Sequence, residues 1–286
     1  MKTVLLWILA IVLTVGSAIY QRRTGPTHPF RGKVEIGNTE VSFRLLRSFP
    51  MPFDAPIRVT VEDRDIKGFY RFKRFPSFDQ WEERQMERED DKLVAYIPQQ
   101  PAAGKVKYQI FLQKGLEAVA LSEEPIIIRF RDSVPAWAII PHILFMFVAM
   151  LLSTRAGLAA IFKERTFGLT LWTFVTLVVG GLILGPIVQK YAFGDYWTGW
   201  PFGTDLTDNK TAVAFLFWLI ALIITWKKPY HRTWVLVASV VLLLVYFIPH
   251  SLLGSEIDWT EDGAEEIYQT ARLVAGRYFP AGAGIF

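Results

Sequence analysis

Residues 167–188, FGLTLWTFVTLVVGGLILGPIV, form an apolar run that contains no charged side chain. A run of about 20 apolar residues is long enough to cross the hydrocarbon core of a bilayer as a helix. Three more apolar segments lie on either side of it, at 136–153, 211–226 and 233–250, and the last two are at the short end of the spanning length. The sequence therefore predicts a four-helix transmembrane bundle over residues 136–253.

The N-terminal residues 4–20, VLLWILAIVLTVGSAIY, form a fifth apolar run with basic residues on both sides. The run is long enough for an uncleaved membrane anchor, but Gly16, Ser17 and Ala18 are also typical of a signal-peptide cleavage region. Its apolar part is longer than a usual signal core, which favours the anchor. We assign residues 1–23 to a transmembrane anchor or signal peptide.

The composition indicates a membrane protein that also carries a polar domain. Of the 286 residues, 52% are hydrophobic, with 22 Phe and 10 Trp, which is more than a soluble domain of this size usually contains. The charged fraction of 20% is too high for a chain that lies wholly in lipid. The chain has no Cys, which excludes disulfides, thiolate metal sites and a Cys nucleophile. The net charge of +4 comes mostly from residues that flank apolar runs, so it does not indicate a nucleic-acid partner.

Residues 27–132 change to short runs in which apolar and polar residues alternate. Seven of these runs have the pattern of half-buried strands: KVEI, EVSFRLL, IRVTVE, KGFYRFKR, KLVAYI, KVKYQIFL and PIIIRF. About seven short strands in roughly 100 residues predict a β-sandwich of the immunoglobulin or fibronectin kind. Tyr108, early in a strand that follows a Pro/Gly turn, resembles the tyrosine-bearing strand of such domains. The predicted fold class is therefore α+β, with an anchor helix, a β-sandwich and a four-helix bundle.

A charged insert, FDQWEERQMEREDDK at residues 78–92, interrupts the strand pattern. Its acidic and basic residues are spaced so that opposite charges can pair along a short helix or a long exposed loop. A solvated face explains such a segment, and a docking surface is the alternative.

Basic residues in two linkers predict the orientation of the bundle. They are Arg155, Lys163 and Arg165 after the first bundle segment, and Lys227, Lys228 and Arg232 after the third. By the positive-inside rule both linkers lie in the cytoplasm. The loop 189–210, the β-sandwich and the tail 254–286 then lie on the outer side. Acids followed by an apolar stripe predict that the tail is an amphipathic helix on the outer surface or against the β-domain.

The outer loop 189–210 contains more aromatic rings, glycines and acids than a connector needs. Its Trp and Tyr side chains fit an aromatic belt at the membrane interface. Its glycines, Pro201 and short polar side chains favour an ordered loop that folds back on the bundle. Asp208 precedes Asn-Lys-Thr at the start of the next apolar segment, so we expect it to cap that helix.

Two histidines directly follow prolines near the outer ends of predicted helices, His142 in IIPHILF and His250 in YFIPHSLL. Ionisable side chains within membrane segments are costly and usually face the interior of the bundle. Two neutral imidazoles at one depth can ligate a metal ion or relay protons, and haem would also be covered by flat aromatic rings. The alternative is that each histidine bonds a neighbouring carbonyl or the loop and only ties helix ends together.

The order of these residues resembles that of known membrane proteins. The stretch GDYWTGWPFGTDLTDNKTAVAFLFWLIAL between the two histidines is similar to the Trp-rich loop of haem-handling proteins of cytochrome c assembly, and residues 185–210 look like a recurring bacterial inner-membrane family. The first resemblance implies that His142 and His250 are axial ligands. It also implies that Trp197, Trp200 and Asp205 help to form the haem platform. Both resemblances imply a bacterial inner membrane with a periplasmic loop.

Signatures of several enzyme classes are missing from the sequence, which has no phosphate-binding loop, dinucleotide fingerprint, G-x-S-x-G or H-E-x-x-H motif. The predicted helices contain almost no buried acids or bases besides His142, which argues against an ion-coupled transporter. Two functions remain open. One is an inner-membrane accessory or scaffold protein whose periplasmic β-domain binds a membrane or periplasmic protein partner. The other is haem or metal binding through His142 and His250.

Overall fold

The computed structural model describes residues 2–249, 254 and 256–260. It is a mixed α+β structure, which confirms the predicted class. The chain divides into two compact units. The helical unit contains Met1–Pro26 and Val134–Ser255, and the β-unit contains Thr27–Ser133 with the described part of Glu256–Phe286.

Each apolar run of the sequence is helical in the described chain. The helices are α1 (Lys2–Thr24), α2 (Ala136–Ile161), α3 (Phe167–Leu177), α4 (Gly185–Phe193), α5 (Leu206–Lys227) and α6 (Thr233–Phe247). A π-helical segment, Val178–Leu184, joins α3 to α4, so that Phe167–Phe193 is one continuous rod. This rod, α1, α2 and α5 are the described helices that are long and apolar enough to cross a membrane, whereas α6 has 15 described residues.

Small side chains fill the interior of the helical unit. Its buried cluster contains Ala149, Ala156, Ala214, Ala221 and Ala238, with Trp218 as the largest member. Small residues let helix backbones approach closely, which is how helices pack where lipid removes the hydrophobic drive between them.

Two glycine contacts show how close the helices come. A Cβ placed at Gly157 would lie 2.9 Å from the Cβ of Ser239 on α6, and one at Gly180 would lie 2.9 Å from the Cβ of Phe145 on α2. The hydroxyl of Ser239 donates to the carbonyl of Ser153 at 2.8 Å. The helices therefore pack closely at Gly157 and Gly180.

The β-unit contains all seven predicted strands and four that were not predicted. The strands are β1 (Phe30–Ile36), β2 (Thr39–Leu45), β3 (Ser48–Pro50), β4 (Ala55–Thr60), β5 (Lys67–Phe75), β6 (Glu82–Gln85), β7 (Glu87–Glu89), β8 (Lys92–Ile97), β9 (Lys105–Lys114), β10 (Glu117–Ala120) and β11 (Ile126–Arg131). They form the hairpin β1-β2, a six-stranded sheet in the order β3-β11-β9-β5-β6 with β10 also paired to β9, and the sheet β4-β8-β7. The pair β3-β11 is parallel and the other pairs are antiparallel.

One core holds the strands of the β-unit together, because alternate residues from each sheet point into it. Its largest members, Tyr108 and Phe130, are fully buried. The Tyr108 hydroxyl donates to the carbonyl of Leu46 at 2.8 Å, so the one polar atom of this side chain is satisfied. Burial raises the pKa of the Tyr108 phenol, which keeps it protonated.

The prediction that residues 78–92 form a short helix or a long loop is wrong, because they contain β6 and β7. Strand β6 pairs with β5, and β7 pairs with β8. Met86 between them is buried, and its amide donates to the carbonyl of Gly68 at 2.8 Å. Pairing with the neighbouring strands has overridden the local charge pattern. All four side chains of β6 are exposed, as expected of a solvated face.

Candidate functional site

His142 lies where two helices of the helical unit depart from regular α-geometry. Pro141 interrupts α2, and the π-helical segment of the neighbouring rod ends at Gly185, with Pro186 next in the chain. The carbonyl oxygen of Gly180 accepts the backbone N–H of Gly185 at the end of the π-helical segment. The Nδ1 atom of the half-buried His142 lies 2.9 Å from the carbonyl oxygen of Gly180.

The contact with Gly180 fixes the tautomer of His142. A carbonyl oxygen can only accept a hydrogen bond, so Nδ1 carries the proton and Nε2 keeps its lone pair. Histidines that bind metals commonly donate their second N–H to a backbone carbonyl in this way. The geometry fits a single ligand at His142, and it also fits a histidine that only joins α2 to the rod.

The other half of the predicted pair, His250, lies outside the described residues. Within the described ranges, no group of three or more His, Asp or Glu side chains is arranged to hold a metal ion. The predicted tail 254–286 also falls almost wholly outside the description, apart from residues 254 and 256–260.

Asp208 organises the loop 189–210. One of its carboxylate oxygens accepts hydrogen bonds from the amides of Thr198 at 2.7 Å and Gly199 at 3.0 Å. The side chain of Gln189 on α4 donates to the same oxygen at 3.1 Å and to the hydroxyl of Thr198 at 2.8 Å. A buried carboxylate therefore ties the loop to both of its flanking helices. Nothing in the sequence indicated a role for Gln189, because its hydrogen-bond partners do not lie on its own helix.

Asp205 caps helix α5, which corrects the prediction that Asp208 does so. The helix begins at Leu206, and the Asp205 carboxylate accepts from the amide of Thr207 at 2.7 Å. The sequence Asp-Leu-Thr-Asp offers two cap candidates, and the earlier one is used because the helix starts before the apolar run. Asp205 is also buried and donates its amide to the carbonyl of Thr198 at 3.0 Å.

The two loop tryptophans differ in exposure. Trp197 is half-buried, and its indole N–H donates to the carbonyl of Trp200 at 3.1 Å. The amide of Trp200 donates to the side chain of Asn209 at 2.6 Å. The backbone at Trp200 is thus held on both sides, while its ring is 77% exposed and that of Phe202 is 83% exposed. Hydrogen bonds hold the loop backbone, and the rings of Trp200 and Phe202 are exposed.

The expectation that the helices bury almost no acids or bases besides His142 is wrong. Arg155 lies inside α2, because the helix runs past the apolar run to Ile161, and its buried guanidinium pairs with Glu164 at 2.6 Å. Lys210 near the start of α5 is buried too, and its ammonium donates to the carbonyl of Ile248 at 2.7 Å. A cation at the carbonyl end of α6 is favourable both as a hydrogen-bond donor and for the helix dipole.

A charged cleft of about 630 Å³ lies on the β-unit. Its charged lining residues are Lys73, Arg74, Arg84, Asp54, Asp79 and Glu82, three of each sign. Arg74 binds Asp79 through two hydrogen bonds of 2.7 and 2.9 Å. This guanidinium, through its hydrogen bonds, holds the pKa of the Asp79 carboxyl below its ordinary value. The sequence analysis had pointed to this region only through the insert 78–92, for which a docking surface was the alternative interpretation.

No family model, curated protein or solved structure matches this chain. The resemblance to haem-handling proteins therefore depends only on the order of the loop residues and the two Pro-His pairs.

Proposed function

We propose that this protein is a multi-pass accessory or scaffold protein of a bacterial inner membrane whose periplasmic β-domain binds a protein partner. Four described helices have the length and composition to cross a membrane. Their large apolar side chains, such as Leu144 and Leu216, are more than half exposed. Lipid contact gives these side chains an apolar environment, which supports the proposed transmembrane bundle.

The β-domain is proposed to be a sandwich of the immunoglobulin or fibronectin kind. Strand β9 lies between β5 and β11 in one sheet, while β4 pairs with β8 in another, and side chains of both sheets share one core. The hydroxyl of Tyr108 bonds the carbonyl of Leu46, 62 residues earlier in the chain, whereas the tyrosine typical of such domains bonds a backbone group only a few residues upstream, so the proposal rests on the two sheets and their shared core.

The orientation can be tested with two positions of nearly equal exposure. Trp200 is 77% exposed in the outer loop, and Tyr230 is 75% exposed in the turn between α5 and α6. The chain has no Cys, so each single cysteine variant has a unique thiol. We expect a membrane-impermeant maleimide to label Trp200→Cys in intact spheroplasts, and Tyr230→Cys only after lysis. The reverse pattern, or labelling of both, would contradict the proposed topology.

The proposal that the β-domain binds a protein partner rests on the charged cleft. Its charges are equal in number, so it does not favour an ion of one sign, but its planar carboxylates and guanidinium groups can hydrogen-bond an extended polar segment. Strand β6 contributes Glu82 and Arg84 to the cleft and lies at the end of its sheet. An unpaired strand edge offers backbone groups to a partner strand.

Site-specific photo-crosslinking in cells tests the cleft. A photoreactive amino acid at Gln80 or Gln99, which line the cleft, is expected to give one discrete protein adduct. The same amino acid at Asn38, in the turn between β1 and β2, is the matched control and should give none. Equal adducts from Asn38, or none from the two cleft positions, would argue against a partner in the cleft.

Haem or metal binding at His142 is the second candidate, because its Nδ1–H is held by Gly180 and its Nε2 is left as a ligand atom. In this proposal His250 is the second ligand. The haem platform is formed by Trp197, Trp200 and Asp205.

The absorption spectrum of protein purified after haem-replete expression tests this candidate, with metal analysis of the same sample. A Soret band or bound metal that is lost in the His142→Ala, His250→Ala double variant, and kept in a His231→Ala control, is the expected result. A colourless, metal-free preparation would exclude it.

A further inference from the structure

One stripe of helix α1 is buried within the helical unit. Its residues are spaced three or four positions apart, as on one face of a helix: Leu6, Ala10, Thr14 and Ser17. Helix α1 packs on α2 and α6. Three of the four side chains on the stripe are small, which lets the helix backbones approach closely. The stripe is therefore of the kind that packs between helices in a bundle.

The N-terminal end of α1 covers a buried charge of α2. The guanidinium carbon of Arg155 lies 5.6 Å from the centre of the Trp7 ring, whose face attracts a cation. The Nη2 atom of this guanidinium binds Glu164, but Nε and Nη1 are buried and have no hydrogen-bond acceptor among the described residues. Without α1 the guanidinium would lose the ring and, in the proposed bundle, face lipid, where an incompletely paired charge is costly.

The C-terminal end of α1 is held by α6. The side-chain amide of Gln21 donates to the carbonyls of Tyr246 at 2.8 Å and Ile248 at 3.4 Å. The Tyr20 ring makes an edge contact with the Phe247 ring, with 5.4 Å between the ring centres. The last carbonyls of a helix have no partner within that helix, so Gln21 caps α6 from a neighbouring helix. Contacts at both ends thus fix α1 alongside α2 and α6.

The candidate cleavage region of the sequence, residues 16–18, lies inside this packed helix, which is continuous over Lys2–Thr24. The Ser17 side chain is buried, and its hydroxyl donates to the carbonyl of Thr14 at 2.9 Å. Proteolysis concentrates in exposed, irregular segments. We propose that α1 is not removed as a signal peptide but stays in the mature protein as a permanent helix of the bundle, in which Trp7 covers the Arg155 guanidinium.

The contacts also give the direction of α1. The ammonium of Lys2 lies 5.1 Å from the ring of Phe162, at the start of the linker between α2 and α3. Helix α6 begins beside the same linker, because Arg232 donates to the carbonyl of Lys163 at 3.1 Å, and Gln21 lies at the other end of α6. In the proposed orientation α1 therefore begins in the cytoplasm and ends on the outer side. The direction rests on the proposed function, whereas the retention of α1 does not.

Cysteine labelling with intact mass measurement tests retention and direction together. Thr3 and Thr24 are exposed near the two ends of α1, and the chain has no other thiol. We expect an impermeant maleimide to label Thr24→Cys in intact spheroplasts and Thr3→Cys only after lysis, on chains whose mass includes α1. A chain that begins after Ala18, with no thiol left in Thr3→Cys, would overturn the proposal. Exchanged labelling of the two variants would reverse the orientation and still support retention.

Melting temperatures of the detergent-purified protein test whether α1 belongs to the bundle or is only a tether. Trp7→Ala removes the ring over Arg155 and should lower the melting temperature by roughly 5 °C. Trp7→Phe keeps an aromatic face and should restore most of the loss. Trp172→Ala, at a 60% exposed position on α3, is the matched control and should change little. Equal melting temperatures for Trp7→Ala and Trp172→Ala would overturn the place of α1 in the bundle.

Discussion

The two units of this protein bury opposite kinds of side chain. The core of the β-unit consists mainly of Ile, Val, Leu, Phe and Tyr, while its strands expose charged residues such as those of β6. The helical unit buries mostly Ala, Gly, Ser and Thr, with a few large side chains such as Trp218 and Leu242, and it exposes Leu, Ile, Val and Phe along α1, α2 and α5. The exposed side chains are therefore mainly charged in the β-unit and mainly apolar in the helical unit. This difference is the one expected under the proposed arrangement, with water around the strands and hydrocarbon around the helices.

Removing a large side chain from the β-unit core should have the greatest effect. Phe130 is fully buried and makes an edge contact with Phe49. Phe130→Ala is expected to destabilise the β-unit by about 3–5 kcal/mol, because transfer free energy is lost and a cavity is left. Phe78→Ala, at an 82% exposed position, is the control and should change little. Hydrogen exchange of the strand amides in the full chain measures both, and similar protection in the two variants would refute the assignment of this core.

A charge on the outer face of a helix distinguishes lipid from water most directly. Leu216 is 51% exposed in the middle of α5, and Leu116 is fully exposed in the β-unit. Leu216→Lys should cost about 2.5–3.5 kcal/mol, because a lysine at the centre of a transmembrane helix is poorly solvated. Leu116→Lys should cost almost nothing. Thermal unfolding in lipid nanodiscs measures the two variants, and equal tolerance would place the α5 face in water.

Close packing of small residues in the helical unit can be tested by adding one methyl group. Gly157→Ala would bring a Cβ to 2.9 Å from that of Ser239, so α2 and α6 must separate. The expected loss is about 1–3 kcal/mol in thermal unfolding of the detergent-purified protein. Gly168 on α3 has open space around its Cα hydrogen, so Gly168→Ala should be neutral or slightly stabilising. Equal melting temperatures for the two variants would contradict this packing.

The polar loop of the helical unit should respond to the loss of a single cap. Asp205→Ala removes the acceptor for the amide of Thr207 and should cost about 1 kcal/mol. Asp205→Asn keeps a side-chain acceptor and should behave like the native protein, since Asn caps as well as Asp. Exchange rates of the first α5 amides separate the variants. If Asn and Ala were equally destabilising, the carboxylate would have a role other than capping.

The smallest effect is expected at the surface ion pair of the β-unit cleft. The pKa of Asp79 is lowered from 3.8 chiefly by its hydrogen bonds to Arg74. A lowered folded-state pKa stabilises the folded state above the unfolded pKa, and the contribution is lost as the pH falls through the folded value. Asp79→Asn should therefore cost no more than about 1 kcal/mol near neutral pH. The difference from the native protein should shrink below about pH 3.8 in urea unfolding curves, and a difference that grew at low pH would have the wrong sign.

The sequence by itself determined the helices, seven of the eleven described strands, and the order of these elements. Apolar runs gave the helices, and alternation gave seven strands, because both patterns follow from local geometry: a helix long enough to span lipid must be apolar throughout, and a strand has two faces. The turn at Gly37-Asn38 also follows local geometry, because Gly37 adopts a φ of 58°, which glycine tolerates better than other residues. The sequence did not show that the charged insert forms strands, because pairing with β5 and β8 prevailed over the local preference of its residues.

Only the tertiary structure decided which polar groups meet. Asp208 accepts hydrogen bonds from the amides of Thr198 and Gly199. Arg155 lies in a helix that was expected to end earlier, and it pairs with Glu164 beyond the end of that helix. Such contacts depend on which segments of the chain fold next to one another, because a buried polar group must find a partner among the groups that packing brings near it. The spacing of residues in the sequence does not show which segments these are.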